Sequence, residues 1–344
     1  MTKHLTFTIH PRTLHFRQPA GTSRGVYTER KVWYVVAESG QRRGVGECAP
    51  LPDLSCDASD DYEAQLRDFC KTTEERGEID HEALRNHPSM LFGLETALWH
   101  LNRGTWQLSD TPFGRRETGI PINGLVWMGT HEEMLDRMET KLRQGFRCIK
   151  LKIGAIRFDE ELDLIRRVRA RYNKEVVELR VDANGGFSPE EALERLTLLA
   201  QYDIHSCEQP IRQRQWAQMA TLCRRSPLPI AFDEELIGVN TTDAKIRLLE
   251  ELRPQYIVLK PSLHGGMAGT REWITLARER GIGSWITSAL ESNVGLNAIA
   301  HLTAEIYGDD IRMAQGLGTG QLFTDNVAPE LEIIGDQLWS SRNF

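Results

Sequence analysis

The chain has 344 residues, 42 of them basic and 49 acidic, for a net charge of −7, with 40% hydrophobic and 26% charged residues. That balance argues against a nucleic-acid or anionic-membrane surface, and the length allows a large core, as two domains or as one barrel with an extension. No apolar run approaches the ~18 residues of a membrane span.

The first ten residues lack the apolar stretch of a secretory signal and read as an alternating strand. Six scattered cysteines, at 48, 56, 70, 148, 207 and 223, form no Cys-x-x-Cys pair. They read as reduced, mostly buried thiols of a cytoplasmic protein.

Strand-like runs come first, at 5–14 and 26–37, separated by a loop-forming composition at 17–25. Helical segments follow at roughly 59–76 and 88–103, so residues 1–110 read as an α+β unit. From about 120 the rhythm becomes strand then helix. Short apolar runs fall at 120–124, 147–153, 177–182, 203–207, 228–232, 255–259, 284–288 and 311–315, and each of the first seven precedes a helical segment.

Thr130 with Glu133, and Ser188 with Glu191, fit capping boxes, the second with Pro189 in the first helical position. The helix at 158–171 sets Phe158, Leu162, Ile165 and Val168 on one stripe. Eight such units fit a closed parallel (β/α) barrel over 111–324, with a doubly wound open sheet as the alternative. The segment 331–344 comes too late for a ninth strand and is expected to pack on the N-terminal unit; with that unit it would complete a capping domain of 1–110 plus 325–344.

Charged residues end consecutive strands: Lys152, Asp182, Glu208, Asp233 and Lys260, spaced by 30, 26, 25 and 27 residues. In a parallel barrel those ends form the active-site mouth, so the five should converge. Three carboxylates without histidine or cysteine are hard oxygen ligands suited to Mg²⁺. A lysine on either side would flank the α-carbon of a metal-bound carboxylate substrate, stabilising the enediolate left when the α-proton departs. Lys150 shares a strand face with Lys152. Its charge, with that of the cation, would make Lys152 easier to deprotonate, and it could reach the substrate carboxylate.

The series Lys150 and Lys152, Asp182 and Asn184, Glu208 to Pro210, Asp233 and Glu234, then Lys260, resembles the enolase superfamily in its muconate-lactonizing-enzyme-like branch. The resemblance spans nearly the whole chain. It implies a modified TIM barrel with an N-terminal α+β capping domain, metal ligands at Asp182, Glu208 and Asp233, and acid/base lysines at Lys152 and Lys260. The metal implied is Mg²⁺, with Mn²⁺ as a substitute. Asn184, Glu234 and Asp203 are candidates to back the ligands. Barrels of this branch often self-associate, so a homo-oligomer is compatible with the resemblance.

The catalytic set does not separate the branch's o-succinylbenzoate synthases, epimerases of N-acylamino acids or dipeptides, and muconate cycloisomerases; the loops must. Where dipeptide epimerases usually carry Asp-x-Asp to hold an ammonium group, this chain has Gly316 to Gly320 with only Thr319 among its polar side chains. That loop, Gly318 and Thr319 included, exposes backbone N–H groups suited to an anion. Its Gly-x-Gly-x-Gly spacing is wrong for a dinucleotide site. Ser288 and the helix start near Ser292 also favour a carboxylate.

The stretch from Pro19 to Gly25 resembles the mobile substrate loop of o-succinylbenzoate synthases, and Arg24 in it could meet a substrate carboxylate. Residues 46–52 resemble the second capping loop. The resemblance therefore implies Mg²⁺-dependent dehydration of a succinyl-bearing cyclohexadiene carboxylate, a menaquinone-pathway step, as the first expectation. Epimerisation or cycloisomerisation comes second, and a catalytically inactive metal-binding barrel third.

Overall fold

The computed structural model describes residues 4–22, 25–309, 311–329 and 331–340. It opens with a three-stranded antiparallel sheet in the order β1 (Leu5–Thr22), β2 (Gly25–Ser39), β3 (Arg42–Cys48), followed by α1 (Tyr62–Arg76) and α2 (Pro88–Arg103). β3 was not anticipated from the sequence; its glycines and arginines hide an edge strand. β1 runs through most of the expected loop, which survives as a register break between His15 and Ala20.

Strand periodicity explains why both faces of β2 are buried. Val32 and Tyr34 pack with Leu51, Leu290 and Phe323 towards the barrel. Trp33, Val35 and Ala37 pack on Leu66, Leu91 and Leu94 of the helices. β3 and α2 approach closely at Gly46 and Gly93: a Cβ on Gly46 would overlap the Gly93 carbonyl, so neither position tolerates a side chain.

Seven parallel strands follow in sequential order: β5 (Gly124–Val126), β6 (Cys148–Lys152), β7 (Glu178–Asp182), β8 (Ser206–Glu208), β9 (Ile230–Phe232), β10 (Tyr256–Leu259) and β11 (Gly283–Ile286). They alternate with α3 (His131–Arg143), α4 (Phe158–Arg171), α5 (Pro189–Ala200), α6 (Trp216–Arg225), α7 (Thr242–Leu252), α8 (Gly266–Glu279) and α9 (Asn293–Tyr307). Both anticipated capping boxes form, at Thr130 with Glu133 and at Ser188 with Glu191.

Three expectations are corrected. The first barrel strand is β5, because the preceding β4 (Ile120–Pro121) is diverted into a separate antiparallel sheet. The eighth run, 311–315, forms no strand. Closure rests on two residues instead: Gln315 bridges Ile122 and Gly316 bridges Thr287. The Gln315 side chain accepts from the Ile286 amide at 2.7 Å, taking the place of a ladder partner, and the glycines beyond it turn away. Finally, β12 (Glu332–Ile334) and β13 (Gln337–Trp339) form a hairpin that pairs with β4 and sends Leu338 into the barrel core. The tail thus packs on the barrel, and the segment before it meets the N-terminal sheet, through His15 on Asp325 and Phe16 on Phe323.

Candidate active site

Parallel register sets the site. Lys152 lies opposite Asp182, and Asp182 opposite Glu208, so three charged residues form a row across the ends of β6, β7 and β8. Asp233 follows β9 and Lys260 follows β10 directly. The three carboxylates and Lys150 and Lys152 are buried; Lys260 is half-buried. The structure brings together all five residues expected to converge.

Their charges interlock. The Lys150 ammonium donates to both Glu208 oxygens at 2.7 Å and lies 2.9 Å from Asp182. Lys152 donates to Asp182 at 2.9 Å and to the Asn184 side-chain oxygen at 2.6 Å. Asn184 in turn donates to Glu234 at 3.0 Å. Lys260 pairs with Asp233. Asp203, the third backing candidate, sits at the opposite end of β8 with Lys174 and takes no part.

Burial disfavours the Lys150 charge, but Asp182, Glu208 and Asp233 outweigh it and hold the ammonium above the ordinary lysine range. The same balance, led by Asp233 against burial, raises Lys260. Asp182 is held far below the carboxylate range by Lys150 and Lys152 against the cost of burial. Glu208 moves the other way: burial and then repulsion from Asp182 push its carboxyl well up. Lys150 is therefore engaged by two carboxylates while it also lines the cavity, where it was expected to reach the substrate.

Among the described residues no three acidic, histidine or cysteine side chains form a ready metal group, and Lys150 stands between two of the carboxylates. The donor set nonetheless suits a hard divalent cation. One Asp233 oxygen is buried without a hydrogen-bond partner, and the upward pressure on Glu208 is what a shared cation would relieve.

A cavity of about 440 Å³ opens over this row. Lys150, Lys152, Asp182, Asn184 and Lys260 form its floor, and Arg17 to Ala20, Leu51 and Leu54 of the N-terminal unit cover it. Ser288, Gly318 and Thr319 line the wall as anticipated, with the Ser288 and Thr319 hydroxyls 2.6 Å apart. Arg24 lies outside the described residues. Arg17 holds the described rim, its backbone and side chain donating to Leu322 and Gln321.

The start of α9 is not open to a substrate, against expectation. Glu47 of β3 fills it, accepting from the Ser292 amide at 2.8 Å, the Ser292 hydroxyl at 2.5 Å and the Gly295 amide at 2.8 Å. Burial pushes the Glu47 carboxyl up to about 7 despite these bonds. The folded protein then holds this proton more tightly than the unfolded chain, so stability falls as pH rises from about 4.5 to 7, with the full penalty above. Urea melts should show Glu47→Gln flattening this fall, a difference of up to ~3 kcal/mol; identical pH dependence in both proteins would refute it.

Sequence reasoning also missed groups that orient the site. Gln209, at φ 40°, accepts from the amides of Asp233 and Glu235 at 3.3 and 3.1 Å and so sets the Asp233 turn. The Lys260 amide donates to His264 Nδ1 at 2.9 Å, and burial lowers this histidine to about 3, keeping it neutral. The Trp127 ring lies 5.9 Å from the Lys152 ammonium. Only the Gln209 position, beside Glu208, carried a local hint.

A parallel barrel bearing lysines and carboxylates on successive strand ends, beneath an α+β cap, is the arrangement of an enolase-type enzyme. The chain belongs to the enolase superfamily: residues 133–331 match the family described as Enolase C-terminal domain-like, and residues 22–101 match the MenC N-terminal domain. It is 45% identical to an o-succinylbenzoate synthase of Desulfotalea psychrophila over 94% of this chain and 96% of that one. The crystal structure of MenC from Desulfotalea psychrophila LSv54 superposes with a TM-score of 0.82 at 39% identity, covering 98% and 99% of the two chains. Identity to the L-Ala-D/L-Glu epimerase of Bacillus subtilis is 26%, over 82% and 79%.

Proposed function

We propose that this chain is an o-succinylbenzoate synthase, dehydrating 2-succinyl-6-hydroxy-2,4-cyclohexadiene-1-carboxylate to o-succinylbenzoate. The observation that carries the reading is the pair of lysines flanking three buried carboxylates under a cap of MenC type. The long similarity to the Desulfotalea enzyme supports the same substrate.

Asp182, Glu208 and Asp233 would hold a divalent cation, Mg²⁺ or in its place Mn²⁺. When bound, it supplies Lewis-acid stabilisation of the substrate carboxylate as negative charge builds there. Lys152 takes the α-proton and returns it to the departing hydroxyl on the same face. Asn184 and Asp182 fix its ammonium for that return. Lys260, kept protonated by Asp233 against its burial, stabilises the enediolate from the other side by charge. The cap residues Arg17 to Ala20 and Leu51 exclude water over the cavity.

All six cysteines are free and five are buried, and among the described residues no helix is long and apolar enough to cross a membrane. A cytoplasmic location fits these thiols.

The test is the ultraviolet change as the diene becomes aromatic, followed with purified protein and millimolar Mg²⁺. Turnover should appear with Mg²⁺ or Mn²⁺ and vanish with a chelator. The cation should also raise the melting midpoint of the substrate-free protein, since it binds the folded state alone. Exchange of the α-proton of N-acylamino acids into deuterated water, with loss of optical rotation and no dehydration, would establish an epimerase instead.

A further inference from the structure

Behind the cavity wall the N-terminal unit and the barrel share a buried hydrogen-bonded junction that no step above uses. Arg30 of β2 is 2% exposed. Its guanidinium donates to four main-chain carbonyls: Pro50 at 2.5 Å and Ala49 at 2.6 Å in the cap, and Ala289 at 3.2 Å and Leu290 at 3.4 Å after β11. Those two segments lead straight to cavity-lining residues, Leu51 on one side and Ala289 and Leu290 on the other.

The barrel segment is held in an unusual conformation. Leu290 has φ 65°, a left-handed backbone that a bulky residue adopts only when its surroundings force it. Glu291 fixes the next link, accepting from the Ala289 amide at 2.6 Å and from the Ser262 hydroxyl at 2.5 Å. Ser262 lies two residues beyond Lys260, in the turn that begins with it. A continuous chain of buried hydrogen bonds thus runs from the cap through Arg30, the 289–291 segment, Glu291 and Ser262 to the Lys260 turn.

We infer that Arg30 is a positioning residue for the reaction: it sets the gap between the capping segment 49–51 and the barrel segment 289–291, and through Glu291 and Ser262 it registers Lys260 against the seated cap. It touches neither substrate nor metal ligands. The role rests on the synthase reading above. A guanidinium is required because its planar fork presents five donors, whereas a lysine head cannot span carbonyls from two segments.

The experiment compares wild type, Arg30→Lys and Ser262→Ala in steady-state dehydration with saturating Mg²⁺, alongside thermal melts and amide hydrogen exchange. Arg30→Lys should melt cooperatively, raise KM about tenfold and lower kcat about threefold to tenfold, and speed exchange at 288–291 and in the 260–264 turn while other barrel amides stay unchanged. Ser262→Ala, which leaves every Arg30 contact in place, should lower kcat about threefold to tenfold at nearly constant KM. The inference is overturned if exchange at 288–291 is unaltered in Arg30→Lys, or if both variants lose activity only in proportion to their unfolded fraction. Should Arg30→Lys not fold, Arg30→Gln, which keeps an amide donor at the junction, is judged by the same exchange and KM readouts. Absence of wild-type turnover would sink the synthase reading, and the exchange result would still decide the Arg30 linkage.

Discussion

Lys152→Arg is expected to lower kcat by about three orders of magnitude, and Lys260→Arg by only about tenfold. The two lysines bracket the same carboxylates, yet the proposed roles differ in what the nitrogen must do. Lys152 has to shed and regain a proton, which a guanidinium cannot do in a protein. Its neighbours hold the nitrogen in place, since Asp182 and the Asn184 oxygen accept from it and Asn184 is itself held by Glu234. Lys260 has only to stay charged, and Asp233, Glu234 and Glu208 together hold its proton on against burial. Arginine preserves that charge with some loss of placement. The check is kcat for both variants beside exchange of solvent deuterium into the α-carbon of recovered substrate, which Lys152→Arg should abolish. Equal losses in the two variants would overturn the division of labour.

The site was legible because it is periodic. Residues that end strands one βα unit apart must converge in a parallel barrel, and Lys152, Asp182 and Glu208 do so in direct register. Their charge also stands out against apolar strands, so type and spacing carry the same message. Long-range substitutions for secondary structure were not legible. Gln315 replaces a strand partner with its side chain, and Glu47 caps a helix 245 residues later in the chain. Neither leaves a local signature, since the partner group is distant in sequence. Arg30 was invisible for a related reason: four of its acceptors are backbone carbonyls, which every residue owns. The tail was misplaced because two three-residue strands carry too few alternations to reveal which sheet they join.

Glu208→Gln is expected to remove cation-dependent stabilisation and turnover together, while the metal-free variant melts no lower than wild type. The carboxylates and ammonium groups of the floor are buried together, and Lys150 is held by both Glu208 oxygens. Burial and repulsion from Asp182 nonetheless favour the neutral Glu208 carboxyl in the folded state; glutamine keeps that neutral form, and Asp182 remains as the Lys150 counter-charge. Burial and Asp182 push the Glu208 carboxyl up, so protons compete with the cation for it, and in wild type the Mg²⁺-induced rise in melting midpoint should shrink as pH falls. In Glu208→Gln that rise should be absent at every pH. A Glu208→Gln protein that melts well below wild type without metal would overturn the first expectation, and one that still melts higher with Mg²⁺ would remove Glu208 from the ligand set.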